Sequence, residues 1–221
     1  PAIAALSPDE KIKWAFELES AARKTSPYVT KFRDSGVANG ESVALLATSD
    51  GVVRSSRSTN IAAWCNPIAD KDGELQTEFW FDSKTNLADL ESLESIGRQA
   101  GERAARMIGA KPVKTQTVPV IFEPQMAAGL ISGILGAVNG DMVFKKSSFL
   151  TEKLNEQIAV SNLNLVDNPH LVRGLASTPF DGEGLKTYKK SIIEDGVLKT
   201  FLYDSYTARK AGVKPTANGR R

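Results

Sequence analysis

The chain has 221 residues with 28 Lys and Arg against 26 Asp and Glu, so its formal charge is only +2 and a whole-chain electrostatic grip on nucleic acid is not expected. With 41% hydrophobic and 24% charged residues it has the composition of a globular chain, and the length suits two modules. One histidine and one cysteine, His170 and Cys65, exclude an internal disulfide, a CxxC pair and a self-sufficient zinc site.

Ser7-Pro8-Asp9-Glu10 predicts a helix start, with a capping serine, a proline in the first turn and a glutamate three residues on. Trp14, Leu18 and Ala21, beside Ile12 and Phe16, form its apolar stripe. From Tyr28 to Lys84 the pattern predicts short antiparallel strands around Val43 to Ala47, Asn60 to Asn66 and Leu75 to Phe81. Their turns fall at Asn39-Gly40, Asp50-Gly51 and Asp72-Gly73, the last two being the better hairpin signals. A second helix is expected from Leu87 to Ile108, with Leu90, Leu93, Gly97, Ala100, Ala104 and Met107 on one stripe and Gly109 as its stop. Its charges, Glu91, Arg98, Glu102, Arg103 and Arg106, read as a solvated face.

After a linker at Pro112, Thr115 to Phe122 reads as a buried strand, and Pro124 opens a third helix, apolar nearly all round and expected to be buried. Gly129 and Gly133 stand at a small-xxx-small spacing that lets another backbone approach, so Gly133→Leu is expected to damage folding or assembly. A strand at Leu163 to Val166 and irregular loops at Asn168-Pro169 and Pro179 to Gly184 follow. The chain then forms a hairpin of Thr187 to Glu194 and Val197 to Tyr203 about Asp195-Gly196, and a short helix from Ser205 to Ala211. His170 reads as a surface turn residue. From Lys186 onward nine Lys or Arg face three acids, interleaved with Tyr188, Phe201, Tyr203 and Tyr206. This is the pattern of a single-strand nucleic-acid platform, and equally of a hairpin with one core face.

The longest apolar run, Met126 to Val138, is well short of the roughly 20 residues that cross a bilayer, so no membrane partner is expected. A lone thiol fits a reducing compartment, and the expected localisation is cytoplasmic. The chain starts at Pro1 and stops at Gly219-Arg220-Arg221, and either end reads as a cut. The fold class expected is α+β, with mostly antiparallel sheets and packed helices in two domains, 1–112 and 113–221, the second truncated.

Several collinear strings resemble the PmbA/TldD family, also called modulators of DNA gyrase, and within it the PmbA/TldE branch. They are Asp89-Leu90-Glu91 to Ala104 before Gly109-Ala110-Lys111, then Val118-Pro119-Val120-Ile121-Phe122-Glu123-Pro124, Ala127-Ala128-Gly129-Leu130, and Gly140-Asp141 with Lys145 to Leu150. Gly174 to Gly184, Asp195-Gly196-Val197-Leu198 and Ser205 to Lys210 continue the series to the end of the chain.

The resemblance implies a zinc metallopeptidase whose catalytic subunit carries HExxxH on a helix, two metal-binding histidines and a water-activating glutamate. Aligned on Gly140-Asp141, those three positions hold Ile131, Ser132 and Gly136. The resemblance therefore implies a non-catalytic subunit that binds no cofactor itself, assembles with a TldD-like partner holding the zinc, and serves peptide substrates. Lys145, Lys146, Ser147 and Ser148, just after the degenerate helix, and Phe180, Asp181 and Glu183 are the candidates for a substrate cavity or interface, with no catalytic role assigned. The alternatives are a binding module that modulates DNA topology through the basic C-terminal segment, and a metal-free hydrolase using Ser147, Ser148 or Asp181, for which no base is visible. A truncated domain with open strand edges also makes self-association an expectation.

Overall fold

A computed structural model describes residues 3–219; the two chain ends, Pro1-Ala2 and Arg220-Arg221, lie outside the described residues. In α1 (Pro8–Arg23) the Ser7 hydroxyl accepts the Glu10 amide at 3.2 Å and the Glu10 carboxylate accepts the Ser7 amide at 2.8 Å. Two orphan donors of the first turn are thereby satisfied. Leu18, Ala21 and Ala22 are buried, whereas Ile12 and Phe16 of the expected stripe remain exposed.

Two long strands follow, β1 (Val29–Ala47) and β2 (Val53–Lys71), neighbours in one sheet. The expected turn at Asp50-Gly51 joins them, with Gly51 at φ 83° and the Thr48 amide donating to the Val52 carbonyl at 3.0 Å. Asp72 (φ 52°) and Gly73 (φ 89°) turn the chain into β3 (Glu74–Thr77), which pairs antiparallel with β2. Then β4 (Trp80–Lys84) pairs antiparallel with β2 from Ile61↔Lys84 to Cys65↔Trp80. From Ile61 onward every second residue of β2, Ile61, Ala63, Cys65, Pro67 and Ala69, is buried, the period of a half-buried strand.

The turn expected at Asn39-Gly40 is absent, and β1 runs straight through it. Asn39 is held by its side chain, which accepts the Lys11 ammonium at 3.0 Å and donates to the Ile3 carbonyl at 2.6 Å. Gly40 makes room for the Asn60 amide oxygen, which would lie 2.7 Å from an added Cβ.

The predicted helix of Leu87 to Ile108 is divided into a 3-10 turn, Leu87–Asp89, and α2 (Leu93–Arg106). The break has a local cause. Asp82 draws the Glu91 amide to its carboxylate at 2.9 Å, and Ser92 caps α2 by accepting the Ser95 amide at 3.2 Å. The buried face of α2 is Ile96, Gly97, Ala100, Gly101 and Ala104. A Cβ on Gly97 would collide with the Leu18 carbonyl oxygen, and one on Gly101 would lie 2.6 Å from that of Ala22, so these glycines bring α2 against the α1 backbone. Arg103 is not on a solvated face: its side chain is 14% exposed and its guanidinium stacks 4.8 Å from the Trp80 ring centroid. Gly109 at φ 76° ends the segment as expected.

The chain divides into two compact units, and each is discontinuous in sequence. The first takes in residues through Ala44, Arg57–Thr115 and Arg173–Leu175; the second takes in Leu45–Ser56, Gln116–Val172 and the chain from Ala176 onward. In the first, Leu18, Val29, Cys65, Ile96 and Ala100 form the core. Arg173 joins that unit through two hydrogen bonds to the Asp89 carboxylate, 2.7 and 3.0 Å.

In the second unit α3 (Pro124–Ala137), α4 (Gly140–Phe144) and α5 (Ser205–Ala211) accompany an antiparallel sheet in the order β5 (Leu165–Asp167), β6 (Lys190–Glu194), β7 (Val197–Leu198). Asp195 (φ 49°) and Gly196 (φ 78°) make the expected hairpin turn, although its strands are shorter than the apolar pattern suggests. Asp204 caps α5 and Gly212 (φ 69°) closes it. Val138, Leu150, Ile192, Ile193, Leu198 and Phe201 make the core. The architecture is α+β with antiparallel sheets and packed helices.

Two expectations fail in this unit. Thr115 to Phe122 joins no strand ladder, and α3 is largely exposed, with only Ala137 buried.

Candidate functional site

On α3, Pro124 supplies the first-turn proline without a side-chain cap from Glu123. The three positions assigned to a metal motif carry little that could bind one. Ile131 is apolar, Gly136 has no side chain, and the Ser132 hydroxyl donates to the Ala128 carbonyl at 2.9 Å. Among the described residues no group of three or more His, Cys, Asp or Glu could hold a metal ion. The residues at those three positions do not fit a catalytic zinc, which takes three protein ligands from such groups.

The glycines of α3 meet nothing beyond their own helix: apart from chain neighbours and the local helix backbone, no atom lies within 4 Å of a Cβ built on Gly129, Gly133 or Gly136. The tight approach belongs to Gly140, at the start of α4. There an added Cβ would overlap the Tyr203 ring and lie 2.9 Å from the Thr207 hydroxyl and 3.0 Å from the Leu202 carbonyl.

Beyond α4 the Lys145 ammonium sits 2.7 Å from the Asp141 carboxylate, whose hydrogen bond and charge raise the lysine above its ordinary range. Lys146 takes the left-handed conformation, φ 54°, that turns the chain out of the helix. Ser147 donates its hydroxyl to the Met142 carbonyl at 3.1 Å, and Ser148 donates to the Ala137 carbonyl at 2.5 Å while accepting the Leu150 amide at 3.0 Å. Both hydroxyls thus close turns, and neither faces a general base. Met142, Phe144 and Phe149 are exposed beside them.

The loop from Pro179 to Thr187 is organised around Asp181, which is 7% exposed. One of its carboxylate oxygens accepts the Glu183 and Leu185 amides at 3.0 and 2.9 Å, and the other accepts the Gly219 amide at 2.9 Å. Glu183 in turn accepts the Ser205 amide at 2.8 Å, so the two acids serve different main-chain donors and do not form an acid pair. Phe180, half-buried, is bridged to Lys186. Gly184 (φ 85°) lies under Leu46 and Val52, whose methyl carbons would be 2.9 and 3.2 Å from an added Cβ.

A polar cluster was missed by sequence reasoning. Lys190, its side chain 7% exposed, places its ammonium 2.8 Å from the Asp167 carboxylate, which also accepts the Asn218 side-chain Nδ2 at 3.0 Å. The pair stands at matched positions of β5 and β6, so a correct strand register would have found it. The lysine also lies 4.5 Å from the Tyr188 ring centroid, and His170 meets the Thr187 hydroxyl at 3.2 Å. The interleaved aromatic residues of the basic segment separate: Phe201 is buried with Tyr203 edge-on at 6.3 Å, while Tyr188 and Tyr206 are exposed. They do not form one stacking platform.

In the first unit a groove of about 220 Å³ is lined by Ala21, Lys24, Thr25, Glu94, Arg98 and Glu102, with Arg98 hydrogen-bonded to Glu102 at 3.1 Å. None of the candidate residues named from the sequence lines it. No helix among the described residues is long and apolar enough to cross a membrane.

Comparison with known proteins gives a consistent set. Residues 1–108 match the central domain, and residues 115–221 the C-terminal domain, of the PmbA/TldA metallopeptidases. Metalloprotease PmbA of Escherichia coli O157:H7 is 34% identical over 215 residues, 97% of this chain and 48% of that protein. A protein from Bacteroides thetaiotaomicron, solved as a candidate modulator of DNA gyrase, superposes with a TM-score of 0.91 at 33% identity, over 98% of this chain and 49% of its own. TldE from Thermococcus kodakarensis gives a TM-score of 0.90 at 26% identity, over 100% of this chain and 50% of its own. The chain spans about half the length of the curated relatives it matches.

Proposed function

The chain belongs to the PmbA/TldD metallopeptidase family, and on that premise we propose that it is the half of a PmbA/TldE-like subunit that serves peptide cleavage without metal chemistry of its own. The zinc and the water-activating glutamate come from a TldD-like partner, and the substrates are peptides bound in extended form through main-chain hydrogen bonds. The compartment is the cytoplasm, in keeping with a lone, buried thiol at Cys65.

The observation that carries this reading is the donor set of α3. Where the family's metal helix would present two imidazoles and a carboxylate, this chain presents Ile131, Ser132 and Gly136, and the one hydroxyl is engaged by its own helix. Further support comes from Ser147 and Ser148 after the helix and from Asp181 and Glu183 in the loop from Pro179 to Thr187, whose side chains are engaged in hydrogen bonds to the main chain.

The test uses the chain at the length of its relatives and an unstructured peptide library, with and without a purified family member that carries HExxxH, and with and without a zinc chelator. Cleavage should require the partner and stop with the chelator. Chelator-resistant cleavage by this chain alone overturns the proposal, as does a failure of the two proteins to associate.

A further inference from the structure

The chain contains three Asn-Gly pairs, Asn39-Gly40, Asn139-Gly140 and Asn218-Gly219. In each the glycine is required by space: an added Cβ would lie 2.7 Å from the Asn60 side-chain oxygen at Gly40, would overlap the Tyr203 ring at Gly140, and would lie 2.7 Å from the Glu183 Cγ at Gly219. A glycine, having no side chain, also hinders least the attack of its own nitrogen on the preceding asparagine side chain. The fold therefore keeps a chemically reactive pair at three places and has to hold each one still. Two are held by their side-chain oxygens. That of Asn39 accepts the Lys11 ammonium at 3.0 Å. That of Asn139 accepts the Asp141 amide at 3.0 Å, and the Gly140 amide donates to the Leu202 carbonyl at 2.7 Å.

Asn218-Gly219, in the second unit, is held differently, by two carboxylates. Asp167 accepts the Asn218 Nδ2 at 3.0 Å, and Asp181 accepts the Gly219 amide at 2.9 Å. The Asn218 Oδ1 is buried and has no hydrogen-bond partner among the described residues. Ala217, just before it, sits at φ 56°, a left-handed conformation that is costly for an alanine. Both features favour local opening, because opening hydrates the unpaired oxygen and relaxes the strained backbone. We propose that Asn218 is a modification site, deamidated through a succinimide whenever the Asp181 clasp on Gly219 opens, and the first of the three asparagines to react. The Gly219 nitrogen gives its proton to water and bonds to the Asn218 Cγ. The Cγ–Nδ2 bond then breaks, and the amide nitrogen takes up a proton and leaves as ammonia. Water opens the ring at either carbonyl, which gives an aspartate or an isoaspartate with no change of oxidation state. Either product undoes the site. A carboxylate at position 218 cannot donate to Asp167, and the two acids would share the one Lys190 ammonium, whose side chain is 7% exposed. An isoaspartate adds a methylene to the main chain and carries Gly219 away from Asp181. The modification thus holds the segment open once it has opened, and it does not depend on the peptidase reading.

The experiment follows the three asparagines by peptide mapping and mass spectrometry in the folded chain, in the chain unfolded by denaturant, and in Asp181→Asn. The unfolded chain should modify all three at similar rates. In the folded chain Asn218 should react ahead of Asn39 and Asn139. Its slowing relative to the unfolded chain should match the hydrogen-exchange protection of the Gly219 amide, since both need the same opening. Asp181→Asn keeps the size of the side chain, and with its oxygen kept by the Glu183 and Leu185 amides it turns a donor toward the Gly219 amide. Modification of Asn218 should then be at least about 10-fold faster, while Asn139, in the same unit, is unchanged. A Gly219 amide protected far beyond the slowing at Asn218 overturns the proposal, as does modification of Asn39 or Asn139 ahead of Asn218. In a folded Asp181→Asn chain, an unaltered rate at Asn218 overturns it as well. If that variant does not fold, the comparison within the unsubstituted chain decides.

Discussion

Tyr203 lies against Gly140 so closely that its ring would overlap any side chain placed there, with the Leu202 carbonyl 3.0 Å from the same point. Gly140→Val should therefore cost about 1–3 kcal/mol through overpacking. By contrast a Cβ on Gly133 would meet nothing beyond its own helix in this chain, and Gly133→Ala should raise stability by up to about 1 kcal/mol through helix propensity. Thermal midpoints of the two variants of the 221-residue chain test the contrast. Equal losses would mean that α3 is packed in this chain after all.

The crossing of α1 and α2 depends on Gly101, where an added Cβ would meet the Thr25 hydroxyl at 2.5 Å and the Ala22 carbonyl at 2.6 Å. Gly101→Val should separate the helices and lower stability by about 2 kcal/mol or more. Arg98→Ala, on the solvated side of the same helix, should change it by less than about 0.5 kcal/mol, because its pair with Glu102 is exposed. A denaturant series on both variants checks the ranking.

Asp181 should behave as an anchor for the main chain. Asp181→Ala leaves the amides of Glu183, Leu185 and Gly219 without their acceptor and should cost at least about 2 kcal/mol. Its signature is local: hydrogen exchange at Gly219 and Leu185 should accelerate before the amides of β6 respond. Unchanged exchange at Gly219 would remove Asp181 from this role.

Burial pushes the Cys65 thiol up to about 12, with Glu19 and Asp34 adding to the effect, against an ordinary value of 9.0. The folded chain thus keeps this proton over a pH range in which the unfolded chain has released it. The stability associated with the neutral thiol is complete below pH 9.0 and declines as pH rises toward about 12. Cys65→Ala should flatten that alkaline decline while lowering stability at neutral pH by leaving a small void. At pH 8 a thiol reagent should label the native chain only through global unfolding. Rapid native labelling would refute the buried, protonated thiol.

Much of the backbone was legible wherever a signal is local. The Ser7 capping box, the turns at Asp50-Gly51, Asp72-Gly73 and Asp195-Gly196, and α5 between Asp204 and Gly212 all depend on residues within one turn of each other. Long-range partners defeated the other readings. Asn39-Gly40 carries a strong turn signal, yet bonds from Lys11 and to Ile3 hold it in a strand. The Gly-xxx-Gly spacing at Gly129 and Gly133 was legible as a close approach, but the same spacing at Gly97 and Gly101 is where the structure makes one. Of the candidate site, the lack of any imidazole or carboxylate at Ile131, Ser132 and Gly136 was plain from residue identity. The role of Asp181 was not, because its decisive donor, Gly219, is 38 residues away.

The interleaving of the two units along the chain has a consequence for synthesis and for dissection. A ribosome releases Thr115 long before it makes Arg173, so the first unit can be completed only after most of the second has emerged. A cut at Pro112 would leave an N-terminal product that carries Leu45–Ser56, which belongs to the second unit, and lacks the arginine that grips Asp89. Neither product of such a cut would hold every segment of one compact unit, and truncations planned at that linker would measure the loss of these exchanged segments along with the loss of a domain.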